Sequence, residues 1–167
     1  MDLLVIRHAI AGDRDEWAKT GRPDQDRPIT DEGRERMQEN ARALQLLVPR
    51  LDLLATSPLV RAVQTAEVVS EAYDDLDIVS APPLASGGAL DEVRAWLAAR
   101  SESRIAIVGH EPDLGQLVSW FLVGNPSAGI GLKKGGACLL RFAGPPAPGT
   151  AELRWFMPPK ILRRLAS

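Results

Sequence analysis

Two histidines stand in this chain of 167 residues, and each directly follows a short apolar run. Leu3-Leu4-Val5-Ile6 leads into Arg7-His8. Ile105-Ala106-Ile107-Val108-Gly109 leads into His110. A third run ends at Thr56 and leads into Ser57 and then Arg61. Two imidazoles and two guanidiniums gathered in one place suit a tetrahedral dianion. A guanidinium offers a rigid fork of donors that matches phosphate oxygens, through charge-assisted bonds roughly twice as strong as neutral ones. One neutral imidazole could attack phosphorus while the other holds an equatorial oxygen. Positioning and charge stabilisation are most of what phosphoryl transfer asks of a protein.

For these residues to act together, the runs before them must be neighbouring strands. Their length and continuous apolarity read as buried strands. Between them lie segments with helical spacing. Met37, Ala41, Leu44 and Val48 follow the N-cap Thr30 and the acidic first turn of Asp31 and Glu32, and Pro49 ends the pattern. Leu59, Val63, Ala66, Val69 and Tyr73 follow Ser57-Pro58, a cap with proline expected at the first helical position, where free N–H groups would add to an anion site. Leu90, Val93 and Leu97 mark a further helix, and Leu114, Leu117, Val118, Phe121 and Leu122 another. Ile78–Val79 is expected as a short strand. Ala137–Phe142 and Ala151–Met157 are expected to pair as a hairpin across the proline-rich loop Gly144–Gly149. Ala11–Pro28, polar and broken by Gly12, Gly21, Pro23 and Pro28, reads as a long loop, a kind of segment that is often functional. Alternating strands and helices predict an α/β fold with a largely parallel sheet and helices on both faces. Ligands of such sheets bind beyond the carboxyl ends of the strands, where both histidines and Arg61 fall. Nothing divides residues 1–167, so a single domain is expected.

Composition narrows the function classes. With 20 basic and 22 acidic residues the net charge is −2, which gives no electrostatic case for nucleic acid. No apolar stretch approaches the length of a membrane helix, and the N-terminal run is too short for a secretion signal. No membrane association is expected, and the cytoplasm is the default. The lone Cys138 excludes an internal disulfide framework and, within an apolar run, reads as a small buried hydrophobe.

The same residues carry a resemblance. Leu4-Val5-Ile6-Arg7-His8 resembles the Arg-His-Gly signature of the histidine phosphatase superfamily, the phosphoglycerate-mutase-like proteins. Pro28-Ile29-Thr30-x-x-Gly33, then Thr56-Ser57-Pro58-x-x-Arg61-Ala62-x-Gln64-Thr65-Ala66, then Val108-Gly109-His110 match further stations in order. The likeness runs from Asp2 to about Trp120. The short chain and Gly109-His110-Glu111-Pro112-Asp113 are most similar to the SixA-type phosphohistidine phosphatases. The resemblance implies a three-layer α/β/α sandwich with a mostly parallel central sheet. It implies His8 as nucleophile, Arg7 and Arg61 gripping the phosphoryl group, and His110 as the second histidine of the pocket. It also implies no metal and no organic cofactor.

Two positions depart from the family pattern. Ala9 stands where the signature has glycine, and a left-handed backbone there would cost about 1 kcal/mol. Many members carry a glutamate as proton donor after the third strand, within an inserted lid. Here the segment reads Pro82-Pro83-Leu84-Ala85-Ser86-Gly87, without an acid. A phosphorylated imidazole departs readily once protonated, so the missing acid favours a phosphohistidine substrate over an alkoxide ester. Glu111, Asp24 and Asp26 remain candidate donors. Ser57 is expected to be a cap first and a ligand to phosphate second. Lys133-Lys134 reads as a solvated loop pair before a substrate-facing basic pair, the tail Lys160–Arg164 as a docked terminal turn, and Trp17 either as a substrate contact or as a pin for its loop.

The reading is therefore a phosphatase acting on protein phosphohistidine through a covalent phosphohistidine intermediate. A phosphatase for small phosphate esters is the alternative among enzymes. A catalytically silent phosphate- or phosphopeptide-binding module is the alternative of another kind.

Overall fold

A computed structural model describes residues 1–167. Six strands form one sheet: β1 (Asp2–Arg7), β2 (Leu53–Thr56), β3 (Ile78–Ser80), β4 (Arg104–Gly109), β5 (Ala137–Phe142) and β6 (Ala151–Met157), in the order β3-β2-β4-β1-β5-β6. The first four in that order are mutually parallel, whereas β5 and β6 run antiparallel at one side. Successive side chains of a strand point to opposite faces, and both faces are covered, so the central strands are apolar throughout. Leu4 and Ile6 of β1 with Ala106 and Val108 of β4 pack on one face against helices α2 (Asp31–Leu47) and α3 (Val60–Ala72). Leu3, Val5, Ile105 and Ile107 pack on the other against α4 (Leu90–Ala98) and α5 (Asp113–Val123). The terminal helix α6 (Pro159–Leu165) docks on α2 and buries Leu162. The result is the expected three-layer sandwich. Cys138 is buried in β5, and burial pushes its thiol up to about 12, so it behaves as a hydrophobe.

Two local expectations need correction. The segment expected as loop contains a short helix, α1 (Arg14–Ala18), whose cap Asp13 accepts from the N–H groups of Asp15 and Glu16. It buries no residue, so apolar periodicity could not announce it. The helix α3 begins at Val60 rather than Pro58. Ser57 Oγ accepts the Leu59 N–H at 3.3 Å, so Ser57-Pro58 form a turn ahead of the helix.

Gly33 explains one of the spaced motifs. Thr30 N–H donates to Ile10 O, and Thr30 Oγ1 caps α2 by accepting from Gly33 N–H. A Cβ on Gly33 would lie 2.2 Å from that same Ile10 oxygen. Only glycine lets the start of α2 lie directly against the backbone that follows His8.

Candidate active site

The strand order puts β4 between β1 and β2, so the carboxyl ends of these three strands lie side by side. Arg7 is level with Gly109, and Thr56 with Val108. Just past those positions His8 N–H donates to Gly109 O, and Ser57 N–H donates to Val108 O. The His8 and His110 rings stand 5.2 Å apart between centroids. Arg7, His8, Arg61 and His110 all border one cavity of about 460 Å³.

Each of these side chains is tied at one end. His8 Nδ1 lies 2.7 Å from Ala9 O. A carbonyl can only accept, so Nδ1 carries the proton and Nε2 keeps a free lone pair. Burial above all pushes the His8 imidazole down to about 3. The hydrogen bond to Ala9 opposes this, and the charges of His110, Arg61 and Arg7 add to it. His8 is therefore neutral across the physiological range. His110 is likewise lowered to about 4, by burial first and then by Arg61. Its Nε2 lies 2.7 Å from Ser57 Oγ. His110 Nε2 is the one acceptor this buried hydroxyl has for its own hydrogen, which is best placed there, leaving Nδ1 as the N–H, which has no protein partner.

The arginines follow the same pattern. Arg7 Nη1 donates to Leu132 O at 2.7 Å. Arg61 Nη1 donates to Asp24 O at 3.0 Å, and its Nη2 is 3.3 Å from Asp24 Oδ2. In both, the buried Nε lacks a protein acceptor. Buried polar groups are nearly always paired, so two orphan Nε donors beside one cavity mark a place for an anion.

Ala9 is buried and is not among the residues with positive φ, so it carries no left-handed strain. Its N–H donates to Thr65 Oγ1, which donates to Arg61 O. Gln64 Oε1 accepts from Ile29 N–H. The Gln64-Thr65 pair thus fastens α3 to the segments around His8.

The three candidate acids separate. Burial alone would raise the Asp24 carboxyl, but Arg27, Arg61 and Arg14 together hold it low. It serves the arginines as counter-ion and is a poor donor. Asp26 does not border the cavity. Glu111 does, and burial raises its pKa although Leu132 N–H and Arg7 oppose the shift. Ser57 is fully buried behind His110 and holds the ring rather than lining the cavity.

The structure also adds groups that the motifs did not reveal. Arg27 is 5 % exposed and borders the cavity, with Nε on Asp24 Oδ1 at 2.9 Å and Nη1 on Gly12 O at 2.7 Å. Lys134 borders it too, with its pKa lowered by burial and by the arginines, whereas Lys133 does not border it. Lys134 is exposed as well, so it stands as a solvated charge at the rim of the cavity. Gly135, at φ +75°, donates its N–H to both Arg7 O and His8 O, and Asn40 of α2 donates to Gly135 O at 3.0 Å. This brings Lys134 to the site. With exposed Arg14, five cationic side chains border the cavity against the carboxylates of Asp13 and Glu111. Trp17 is pinned within its loop, its Nε1–H donating to Pro23 O at 2.9 Å.

A mostly parallel sheet between helical layers, with a buried histidine in a cationic cavity beyond its strand ends, suits the binding of a phosphoryl group. The chain belongs to the histidine phosphatase superfamily (branch 1), whose family model matches residues 3–86, and it is a phosphatase. An uncharacterised protein of Picosynechococcus sp. is 37 % identical over 144 residues, covering 84 % of this chain and 85 % of that one. The structure of the protein histidine phosphatase SixA complexed with tungstate aligns with a TM-score of 0.81 at 23 % identity, over 97 % of this chain and 99 % of that one. The alpha-ribazole phosphatase of Shigella flexneri aligns at 0.66 and 18 % identity, over 93 % and 96 %. These two structures share the fold.

Proposed function

We propose that this phosphatase acts on protein phosphohistidine, with His8 as its covalent nucleophile. The observation that carries the reading is the 2.7 Å contact of His8 Nδ1 with Ala9 O, which leaves Nε2 unprotonated beside the guanidiniums of Arg7 and Arg61. Nε2 attacks phosphorus, and the bond from phosphorus to the substrate nitrogen breaks. The electron pair goes to that nitrogen, which takes a proton from solvent. Arg7, Arg61 and His110 Nδ1–H hold the equatorial oxygens as charge shifts. Water then attacks the phosphorus on His8, inorganic phosphate leaves and Nε2 recovers its lone pair.

Two features support phosphohistidine over an ester. The segment after β3 is a single 3-10 turn, Pro82–Leu84, followed by the short stretch 85–89 before α4; it reaches the cavity only through Ser86, a residue with no acidic proton. The fold also aligns over nearly its whole length with that of the protein histidine phosphatase SixA. Small phosphate esters form the second reading. It is favoured by Glu111, whose raised carboxyl borders the cavity and could protonate an alkoxide.

The test is turnover of a phosphohistidine peptide beside an aryl phosphate, with acid-quench and base-quench trapping of the labelled enzyme. The expected outcome is faster peptide turnover, with acid-labile, base-stable label on His8. Turnover of the aryl ester alone would support the second reading. Label on a serine, or binding without turnover of either, would overturn the mechanism.

A further inference from the structure

A second groove of about 340 Å³ opens beside the cavity. Arg14, Arg61 and Ser86 border both, so the two adjoin. His8 borders the cavity and not the groove. A group running from a phosphoryl bound at Arg61 into the groove therefore leads away from the nucleophile, as the leaving group of an in-line transfer must.

The groove's walls are chemically unlike the cavity. Trp17, Ala18 and Leu59 give it an apolar side. Trp17 is held rigid from two directions: its Nε1–H is bonded to Pro23 O, and the Arg22 guanidinium lies 4.6 Å over its ring. A cation over an indole face is stabilised there, and this one forms no ion pair with any carboxylate of the chain. The groove's other cations, Arg14 and Arg61, are both engaged by Asp24. Arg22 is thus the charge left for an incoming group.

We infer that the Trp17 groove is the leaving-group subsite, and that it takes the polypeptide flanking a phosphohistidine, with an apolar side chain against Trp17 and Leu59 and a carboxylate on Arg22. This rests on the phosphohistidine reading and deepens it. A lone imidazole would leave most of the groove empty, because cavities of roughly 300 Å³ and more accommodate drug-sized groups. Charge complementarity selects an acidic segment over a basic one.

The test uses the full chain and phosphohistidine peptides that differ in one flanking residue, glutamate or lysine. Wild type should favour the acidic peptide in kcat/KM by about tenfold. Arg22→Glu should abolish or reverse that preference, while Arg50→Glu, an equal charge change at the other end of the sheet, should keep it. Trp17→Ala should lower kcat/KM for an apolar-flanked peptide at least tenfold more than for phosphoramidate, which has no flank to lose. Peptides turned over with a preference indifferent to Arg22→Glu would overturn the subsite and leave the phosphohistidine reading standing. Turnover of phosphoramidate and aryl esters with no peptide turned over would overturn that reading, and the subsite with it. An equal loss on every substrate in Trp17→Ala would reduce Trp17 to a structural pin.

Discussion

Acid should destabilise this protein chiefly through two histidines. Both are neutral when folded, His8 lowered to about 3 and His110 to about 4, burial being the first cause in each. In the unfolded chain each returns to about 6.5. Between those values the unfolded state binds more protons, so stability falls as pH falls, beginning near 6.5 and ending near the folded pKa. From pH 6.5 to 4.5 the linkage amounts to about 2 kcal/mol for each histidine, and about 4 kcal/mol together. That is a large part of the typical 5–15 kcal/mol of a folded domain, roughly stated. The assay is urea unfolding at both pH values for wild type and His8→Gln. The glutamine variant should lose about half as much, since its remaining slope belongs to His110 and the carboxylates are common to both proteins. An equal loss in the two proteins would refute the claim that burial keeps His8 neutral. The kinetic counterpart follows from the same pKa. For an aryl phosphate, kcat/KM corrected for substrate ionisation should stay flat from pH 8 to about 5, and an acid limb near 6.5 belonging to His8 would contradict the buried site.

Three further outcomes are expected. His8→Ala should abolish turnover yet still bind inorganic phosphate by calorimetry, because Arg7, Arg61 and His110 each keep their own anchors; loss of phosphate binding would move the anion site onto His8 itself. Arg61→Lys should lower kcat/KM by about 10²–10³, the scale of one transition-state donor, since an ammonium cannot both hold Asp24 and reach the phosphoryl; near wild-type rates would refute the forked role. Gly33→Ala should destabilise by about 1–3 kcal/mol in denaturant titration, the scale of overpacking, because its Cβ would meet Ile10 O at 2.2 Å; an unchanged midpoint would show that the junction of α2 with the loop after His8 can shift at no cost.

Much of this site was legible because its parts sit at the ends of regular elements. Buried strands announce themselves by continuous apolarity, so the groups just past β1, β2 and β4 could be expected to converge before the strand order was known. Arg27 and Lys134 were not legible in the same way. Arg27 closes the single 3-10 turn Asp24–Asp26 and reaches the cavity through the isolated bridge of Ala11 with Ile29 and its own bond to Gly12 O. Lys134 arrives through Gly135, whose N–H bonds to Arg7 and His8 join positions more than a hundred residues apart. Hydrogen bonds of that range leave no periodicity in the chain. Asp24 was visible as a carboxylate, but its work depends on three arginines from different segments, so its role changed from donor to counter-ion.

The anchors explain why so cationic a cavity can exist in a chain with net charge −2. Like charges at short range repel, and each buried guanidinium loses hydration. Arg7 recovers part of this from a carbonyl, Arg27 from a carbonyl and Asp24, and Arg61 from the backbone and side chain of that same Asp24. These contacts take one side of each fork and leave Nε of Arg7 and of Arg61 orphaned. A dianion entering the cavity therefore meets donors already oriented and already dehydrated, so little reorganisation is needed when charge moves during transfer. The same economy applies to the imidazoles: Ala9 O fixes the proton of His8 on Nδ1, and Ser57 holds His110 by Nε2. With one nitrogen of each ring committed to the protein, the other is assigned by elimination, a lone pair on His8 and an N–H on His110. The nucleophile and its assistant thus differ by which neighbour holds them, not by residue type, which is why Ala9 can stand in the signature's glycine position: the contact that matters there is made by its backbone oxygen.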